Sequence, residues 1–205
     1  MVLLALGSAP ALACSIDAKH RVPTNVELVD KADLVVLAVV QSGPRTYEEG
    51  WNGRDFEPQV VLSPIKVIKG ASPRRLHVEG VVSDERGRPY RRLPTALDDV
   101  HPSTLEGSCF RQRYPIGGMV LAMFRRTSSG YEQLFEPFAR VVEDVEGPEA
   151  LWPRAAELYV RLLRTREPAA RRTAFLREQR RLAADGGSNT AIAKDIGRYL
   201  HATRK

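Results

Sequence analysis

The side chains best suited to catalysis or metal binding are few and widely spaced. The chain has four histidines and two cysteines, and no two of the histidines have the spacing that zinc ligands show in known metal sites. The sequence also contains no G-x-S-x-G nucleophile motif, no phosphate-binding loop and no H-E-x-x-H helix. We therefore predict a protein that is not an enzyme, holds no cofactor or metal, and acts by binding.

The first of the two cysteines follows a segment with the features of a signal peptide. Residues 1–13 read MVLLALGSAPALA, a short apolar run followed by the small-x-small pattern of a signal-peptidase site. Cleavage after Ala13 makes Cys14 the first residue of the mature chain. We predict that residues 1–13 are removed and that the mature protein is secreted, periplasmic or held in the cell envelope.

Two chemistries compete for an N-terminal cysteine at this position. The residues Ala11-Leu12-Ala13-Cys14 resemble a bacterial lipobox, in which the cysteine is acylated and attached to a membrane. Alternatively, Cys14 forms a disulfide with Cys109, the other cysteine of a chain that enters an oxidising compartment. A bridge that closes a loop of roughly 100 residues would stabilise the fold by about 4–5 kcal/mol. We favour this bridge over two unpaired thiols.

The net charge of +6 is concentrated near the C-terminus. From Glu149 onward the chain has 13 Lys and Arg against 6 Asp and Glu, a balance of +7, so the remainder carries −1. The main body has no clustered basic and aromatic strand face of the kind that binds nucleic acid, so we predict no specific nucleic-acid partner. We expect the tail to attract anions only weakly and in a salt-sensitive way.

The apolar pattern predicts strands first and helices afterwards. Short apolar or alternating segments with flanking turn residues indicate five or so strands, with no helix between them and an irregular connection over residues 83–108. From residue 148 the apolar spacing becomes helical and indicates three helices, whose apolar stripes should pack against each other or against the sheet. The predicted strands cover residues 33–40, 59–68, 76–82, 119–124, 131–135 and 138–142.

Four segments, taken in order after an exported N-terminal cysteine, resemble a known family. They read ADLVVLA at 32–38, KVIKG at 66–70, GSCF at 107–110 and IGGMVL at 116–121. This ordered set is similar to the tissue inhibitors of metalloproteinases and the related netrin C-terminal module, over about residues 14–142. Ile16 stands where the animal inhibitors have a second cysteine, and the helical tail has no counterpart in their inhibitory domain.

The resemblance implies a mainly β fold with an α extension, in which a five-stranded, OB-fold-like antiparallel barrel is followed by a C-terminal helical segment. The domains would then be residues 14–146 for the inhibitor-like barrel and 147–205 for the basic helical extension. It also implies a disulfide between Cys14 and Cys109, the bridge that we favour from the residues. In that family the α-amino group and carbonyl of the first cysteine chelate the protease's zinc, which assigns this role to Cys14. The second residue enters the specificity pocket, which assigns that contact to Ser15.

The resulting expectation is an exported, non-enzymatic binding domain that inhibits a zinc metalloproteinase through its N-terminal cysteine. The alternative is an envelope lipoprotein or adaptor that is acylated at Cys14 and therefore contacts a membrane. A lipidated Cys14 has no free amine to chelate zinc and no thiol to form a bridge. The oligomeric state and the target protease are not predicted by the sequence.

Overall fold

The computed structural model describes residues 20–50, 58–84, 97 and 109–203. Within these ranges the strands form a six-stranded antiparallel sheet and a separate two-stranded parallel pair. The strands are β1 (Leu34–Ser42), β2 (Gln59–Lys69), β3 (Leu76–Glu79), β4 (Val81–Ser83), β5 (Arg113–Pro115), β6 (Met119–Thr127), β7 (Gly130–Gln133) and β8 (Val142–Asp144). The helices are α1 (Asn25–Lys31), α2 (Tyr47–Gly50), α3 (Leu151–Leu163), α4 (Pro168–Asp185) and α5 (Asn189–Ala202).

The centre of the large sheet is β1, which pairs with β2 on one side and β6 on the other. Its first five residues, Leu34 to Ala38, have no exposed surface. A strand buried on both faces has no polar side to present, which explains why its sequence is a continuous run of aliphatic residues. The strand order is β3-β2-β1-β6-β7, and β8 pairs with β6.

The turn after β2 requires a glycine. Gly70 has a φ of +81°, and a Cβ at this position would lie 2.3 Å from the carbonyl oxygen of Asp33. A second glycine interrupts the segment that the pattern predicts as one strand over residues 76–82. Gly80 has a φ of +136°, and a Cβ there would lie 2.5 Å from the carbonyl oxygen of Gln112. The chain therefore leaves the large sheet at Gly80, and β4 pairs with β5 instead.

The predicted antiparallel sheet with a C-terminal helical part is confirmed. Closure of that sheet into a barrel is not: no hydrogen-bonded ladder joins β3 to β7 among the described strands. The two edge strands nevertheless approach each other, and the backbone N–H of Glu79 donates to the side-chain oxygen of Gln133 at 3.1 Å. The predicted strand over residues 138–142 begins later than expected. The chain turns at residues 136–141, and only β8, from residue 142 onward, pairs with β6. The predicted irregular connection lies mostly outside the described residues.

A short helix, α1, precedes β1 and is not among the elements predicted from the sequence. Thr24 and Glu27 form a capping box at its start: the Thr24 hydroxyl accepts from the backbone N–H of Glu27, and the Glu27 carboxylate accepts from the backbone N–H of Thr24. Arg21 adds two hydrogen bonds to the same carboxylate, at 2.6 and 2.8 Å. Val26, Leu28 and Val29 are buried.

The C-terminal helices pack on the rest of the protein. Helices α3 and α5 both contact α1, and α4 lies against α5. Tyr159 of α3, Phe175 of α4 and Ile196 of α5 have no exposed surface, so each helix has a buried side. Among the residues described, none of the helices has the length and apolar character needed to cross a membrane.

Ending the chain at Gly147 removes α3, α4 and α5 and exposes the apolar surface of α1 that they cover. We expect a lower melting temperature or loss of solubility, because burying a large apolar side chain contributes about 1.5–3 kcal/mol. A chain that ends at Thr203, the last described residue, is the matched control and should melt like the full chain. An unchanged melting curve for the shorter chain, measured by circular dichroism, would show that the tail does not stabilise the sheet.

Candidate binding site at the N-terminal entry

The residues predicted to bind a protease, Cys14 and Ser15, directly follow the predicted signal peptide. Cys14 and Ser15 fall outside the described residues, as does the predicted signal peptide. Cys109 is described, and only 3% of its surface is exposed. What the structure shows of this site is therefore where Cys109 lies relative to the first described residues.

The N-terminal segment enters the fold beside Cys109. The imidazole Nε2 of His20, the first described residue, lies 3.5 Å from the carbonyl oxygen of Pro137. The next residue, Phe138, donates its backbone N–H to the carbonyl oxygen of Cys109 at 2.8 Å. Cys14 precedes His20 by six positions, which an extended chain covers in about 20 Å. Cys14 is thus within reach of Cys109.

A cavity of about 290 Å³ adjoins this entry point. Its walls come from residues 22–25 of the incoming chain, from Leu97, from residues 138–140, and from Asp195 and Arg198 of α5. The cavity therefore lies where the N-terminal segment, the turn between β7 and β8, and the last helix meet. A concave surface with a few convergent polar groups is the usual form of a binding site.

Two residues in the cavity wall have a strained backbone. Leu97 has a φ of +66° and Phe138 a φ of +62°, and within the described ranges no other non-glycine residue has a positive φ. The left-handed region is unfavourable for bulky side chains, at about 1–3 kcal/mol for each residue, and such strain concentrates at functional sites. Both strained residues line one cavity, which marks it as the candidate site.

The polar centre of the cavity is the carboxylate of Asp195, which has no exposed surface. Its Oδ2 accepts from the Tyr159 hydroxyl at 2.6 Å and from Nδ2 of Asn25 at 3.1 Å, and its Oδ1 accepts from Nη2 of Arg198 at 2.8 Å. The carbonyl oxygen of Leu97 accepts from both Asn25 and Arg198. Helices α1, α3 and α5 and residue 97 are joined by this single network.

Burial and hydrogen bonding act on Asp195 in opposite directions. Burial raises the pKa of this carboxyl above its ordinary range, while the bonds from Tyr159, Arg198 and Asn25 favour the ionised form and limit the rise. Burial, together with the negative charge of Asp195 and the hydrogen bond to it, raises the pKa of the Tyr159 hydroxyl well above its usual value. The tyrosine therefore stays protonated and donates its hydrogen to Asp195 throughout the physiological range.

Two buried ion pairs lie near the cavity, and one of them includes Arg140 of its wall. Arg140 donates to the Glu143 carboxylate at 3.0 Å, and Arg111 donates to Asp144 at 2.7 Å. Burial raises the pKa of Glu143 to about 7, with Asp144 adding to the rise and the two arginines opposing it. Glu143 is therefore only partly ionised near neutral pH.

A pair of aromatic rings, the half-buried Phe110 and the exposed Phe135, lies beside Cys109. Phe110 follows Cys109 in the chain, and its ring centroid lies 4.2 Å from that of Phe135, with the ring planes inclined by 34°. The described part of the chain holds no cluster of three or more His, Cys, Asp or Glu side chains that could bind a metal ion. What the described residues offer here is the aromatic pair Phe110 and Phe135 and a small cavity lined by residues 22–25 of the N-terminal segment.

The chain has no match among known protein families, curated proteins or solved structures. The resemblance to the metalloproteinase inhibitors stays a prediction.

Sequence reasoning missed most of the cavity. The pattern T-x-x-E at Thr24 and Glu27 is a signal for a helix start and could have revealed α1 and the position of Asn25. Asp195 lies close to the apolar positions of α5 in sequence, but nothing in the sequence pairs it with Asn25, which is 170 positions away. Of the predicted cysteine site only Cys109 is described, and it is joined to the cavity wall by the hydrogen bond from the backbone N–H of Phe138.

We expect Asp195→Asn to destabilise the protein by about 2–4 kcal/mol, because the amide cannot accept from every donor now directed at the carboxylate. Asp185→Asn is the matched control. Asp185 pairs with Arg181 at 2.7 Å on the surface of α4, where an ion pair contributes little. Urea unfolding measures both variants. Equal stability of the two would contradict a central role for the Asp195 network.

Stability should decrease as pH rises through the window set by Glu143. A folded-state pKa of about 7 against 4.5 when unfolded means that the folded protein holds its proton more tightly. This contribution is complete below pH 4.5 and lost by about pH 7, a change on the order of 3 kcal/mol. In Glu143→Gln the free energy of unfolding by urea should differ less between pH 4.5 and pH 7 than it does in the original protein.

Glu27 provides a control of opposite sign. Arg21, with further hydrogen bonds from Thr24, lowers the pKa of the Glu27 carboxyl to about 2. Its contribution is present above pH 4.5 and lost as pH falls from 4.5 towards 2. Glu27→Gln should therefore lower stability at pH 5 and above, while the decrease in unfolding free energy between pH 4.5 and 7 remains. Loss of that decrease in Glu27→Gln, or its persistence in Glu143→Gln, would contradict its assignment to Glu143.

Proposed function

We propose that the mature chain is an exported binding domain that inhibits a zinc metalloproteinase. The α-amino group and carbonyl oxygen of Cys14 bind the catalytic zinc, and Ser15 enters the specificity pocket. The observation that best supports this proposal is the entry of the N-terminal chain beside buried Cys109, through the contacts of His20 with Pro137 and of Phe138 with Cys109. A disulfide between Cys14 and Cys109 then holds the chain end against the fold.

The strand arrangement is compatible with the same proposal. An OB-fold is a partly open barrel of five strands. Strands β1, β2, β3, β6 and β7 follow one another around the sheet, and its two edges approach through the Glu79–Gln133 hydrogen bond. We propose an OB-fold-like domain over residues 14–146, with residues 147–205 as its helical extension.

The chemistry requires a free, unprotonated amine. Catalytic zinc sites in proteases have three protein ligands and an open fourth position. An α-amino group has a pKa of about 8, so a useful fraction is unprotonated at neutral pH and can occupy that position. A disulfide at the same residue limits the motion of the amine, which reduces the entropy lost on binding.

The test compares two forms of the protein that differ only by the presence of Ala13. One form begins at Cys14, and the other retains Ala13, so that the Cys14 nitrogen is a peptide amide without a free lone pair for zinc. We expect the first form to inhibit one or more members of a panel of zinc metalloproteinases, assayed with a fluorogenic peptide. The second form should not inhibit, although its melting temperature is unchanged. A serine protease is the control target and should be unaffected by both forms.

The state of the cysteines is measured on the same protein. Thiol labelling of the denatured, unreduced chain should find no free thiol, and mass spectrometry should find an unmodified Cys14 at the N-terminus. Equal inhibition by both forms, no inhibition by either, or two labelled thiols would contradict the inhibitor proposal. An acyl group on Cys14 would contradict it in favour of an envelope lipoprotein or adaptor.

A further inference from the structure

A second cavity lies between the start of α4 and the end of α5. It has a volume of about 350 Å³ and shares no wall residue with the cavity at the N-terminal entry. Its polar lining consists of Arg171 and Arg172 of α4, Tyr199 of α5 and Thr203, and Leu200 belongs to its apolar lining. A concave surface of this size with convergent polar groups is suited to a small ligand.

The two arginine side chains of the cavity wall are held by backbone carbonyl groups. Nε of Arg171 donates to the carbonyl oxygen of Thr165 at 2.7 Å, and Nη1 of Arg172 donates to that of Leu200 at 3.2 Å. Both side chains are half-buried. A guanidinium group has several further N–H donors in a fixed planar arrangement. Each arginine is therefore anchored through one nitrogen while its other donors can bind a ligand.

No carboxylate neutralises these two arginines. None of the ion pairs between described residues includes Arg171 or Arg172. Glu167, the acidic residue nearest to them in sequence, caps α4 instead, and its carboxylate accepts from the backbone N–H groups of Ala169 and Ala170. The cavity therefore contains two positive charges that an anionic ligand can balance.

Tyr199 adds a hydroxyl group to the same wall. Its ring packs against that of Phe175, with the ring centroids 4.8 Å apart. Burial raises the pKa of the Tyr199 hydroxyl, and the charge of Arg171 opposes that rise. The hydroxyl is therefore protonated at physiological pH and can donate a hydrogen bond to an anion.

We propose that this cavity binds a phosphate monoester, with Arg171 and Arg172 donating to its oxygens and the Tyr199 hydroxyl as a further donor. A planar guanidinium group matches the geometry of phosphate and can donate two parallel hydrogen bonds to it. A phosphate monoester carries about 1.5–2 negative charges near neutral pH, which suits two arginines. Soluble phosphate monoesters and the headgroup of phosphatidic acid share this chemistry. The proposal uses none of the residues assigned to protease inhibition and is independent of that function.

The experiment measures binding of two probes to the full chain. Calorimetry with glycerol phosphate tests a soluble ligand, and co-sedimentation with phosphatidylcholine vesicles, with and without phosphatidic acid, tests a lipid headgroup. We expect binding of glycerol phosphate, of the vesicles that contain phosphatidic acid, or of both. Arg171→Gln combined with Arg172→Gln should weaken this binding at least about 10-fold, because hydrogen bonds to a charged group are lost.

The matched control removes the same charge from the same helix. Arg177 and Arg180 are exposed on α4 and do not line the cavity, so Arg177→Gln combined with Arg180→Gln should leave the affinity for glycerol phosphate within a few-fold of the original. Tyr199→Phe keeps the ring and should weaken binding a few-fold, which tests the cavity without removing an arginine. Melting curves of all variants show whether each one is folded.

Binding of glycerol phosphate identifies a soluble ligand, and binding of phosphatidic acid vesicles alone identifies a lipid headgroup; either supports the proposal. Binding of neither probe by the folded chain would overturn it. Equal weakening by the two arginine pairs would also overturn it, because the attraction would then come from the overall charge of the helix. The same holds if affinity is unchanged in the variants of Arg171, Arg172 and Tyr199.

Discussion

Asp195 is a carboxylate without exposed surface, and its hydrogen bonds come from Asn25, Tyr159 and Arg198. A buried charge is tolerated only when its hydrogen-bonding capacity is satisfied, and removing one donor leaves part of the desolvation cost unopposed. The donors belong to α1, α3 and α5, so one side chain links these three helices, which also pack through apolar residues. Asn25 also begins the helix that follows the incoming N-terminal chain. The position of the N-terminal segment from Arg21 to Asn25 is therefore linked to α5 through Asp195.

The strained residues of the cavity wall are held by neighbouring contacts. Leu97 accepts hydrogen bonds from Asn25 and Arg198, and the backbone of Phe138 donates to Cys109. A left-handed leucine or phenylalanine persists only where several other contacts determine its conformation. The buried network and the strain are thus two aspects of one arrangement: the hydrogen bonds stabilise a wall that the backbone would not adopt alone.

The parts of this fold that follow from sequence are those governed by apolar periodicity. The run at residues 33–40 predicts β1, and the helical stripes predict α3 to α5, because local burial leaves a local pattern. The division of the third strand at Gly80 is not visible in that pattern, since it depends on the approach of a carbonyl 32 positions away in the chain. The network around Asp195 is equally hidden, because its partners come from distant segments. The cysteine site is proposed from motifs, and its N-terminal residues lie outside the described ranges.

A protease inhibitor that acts through its chain end must hold that end still, because ordering it during binding would weaken affinity. The animal inhibitors that this chain resembles have several disulfides in their inhibitory domain, whereas this chain has two cysteines and can form one bridge. The remaining restraint has to be non-covalent. The contacts available are the Arg21–Glu27 pair on the α1 capping box and the link from Asn25 to Asp195, which fix the chain a few residues after the proposed bridge. In the proposed inhibitor the helical tail would supply, through Asp195, a restraint that disulfides supply in the animal inhibitory domains.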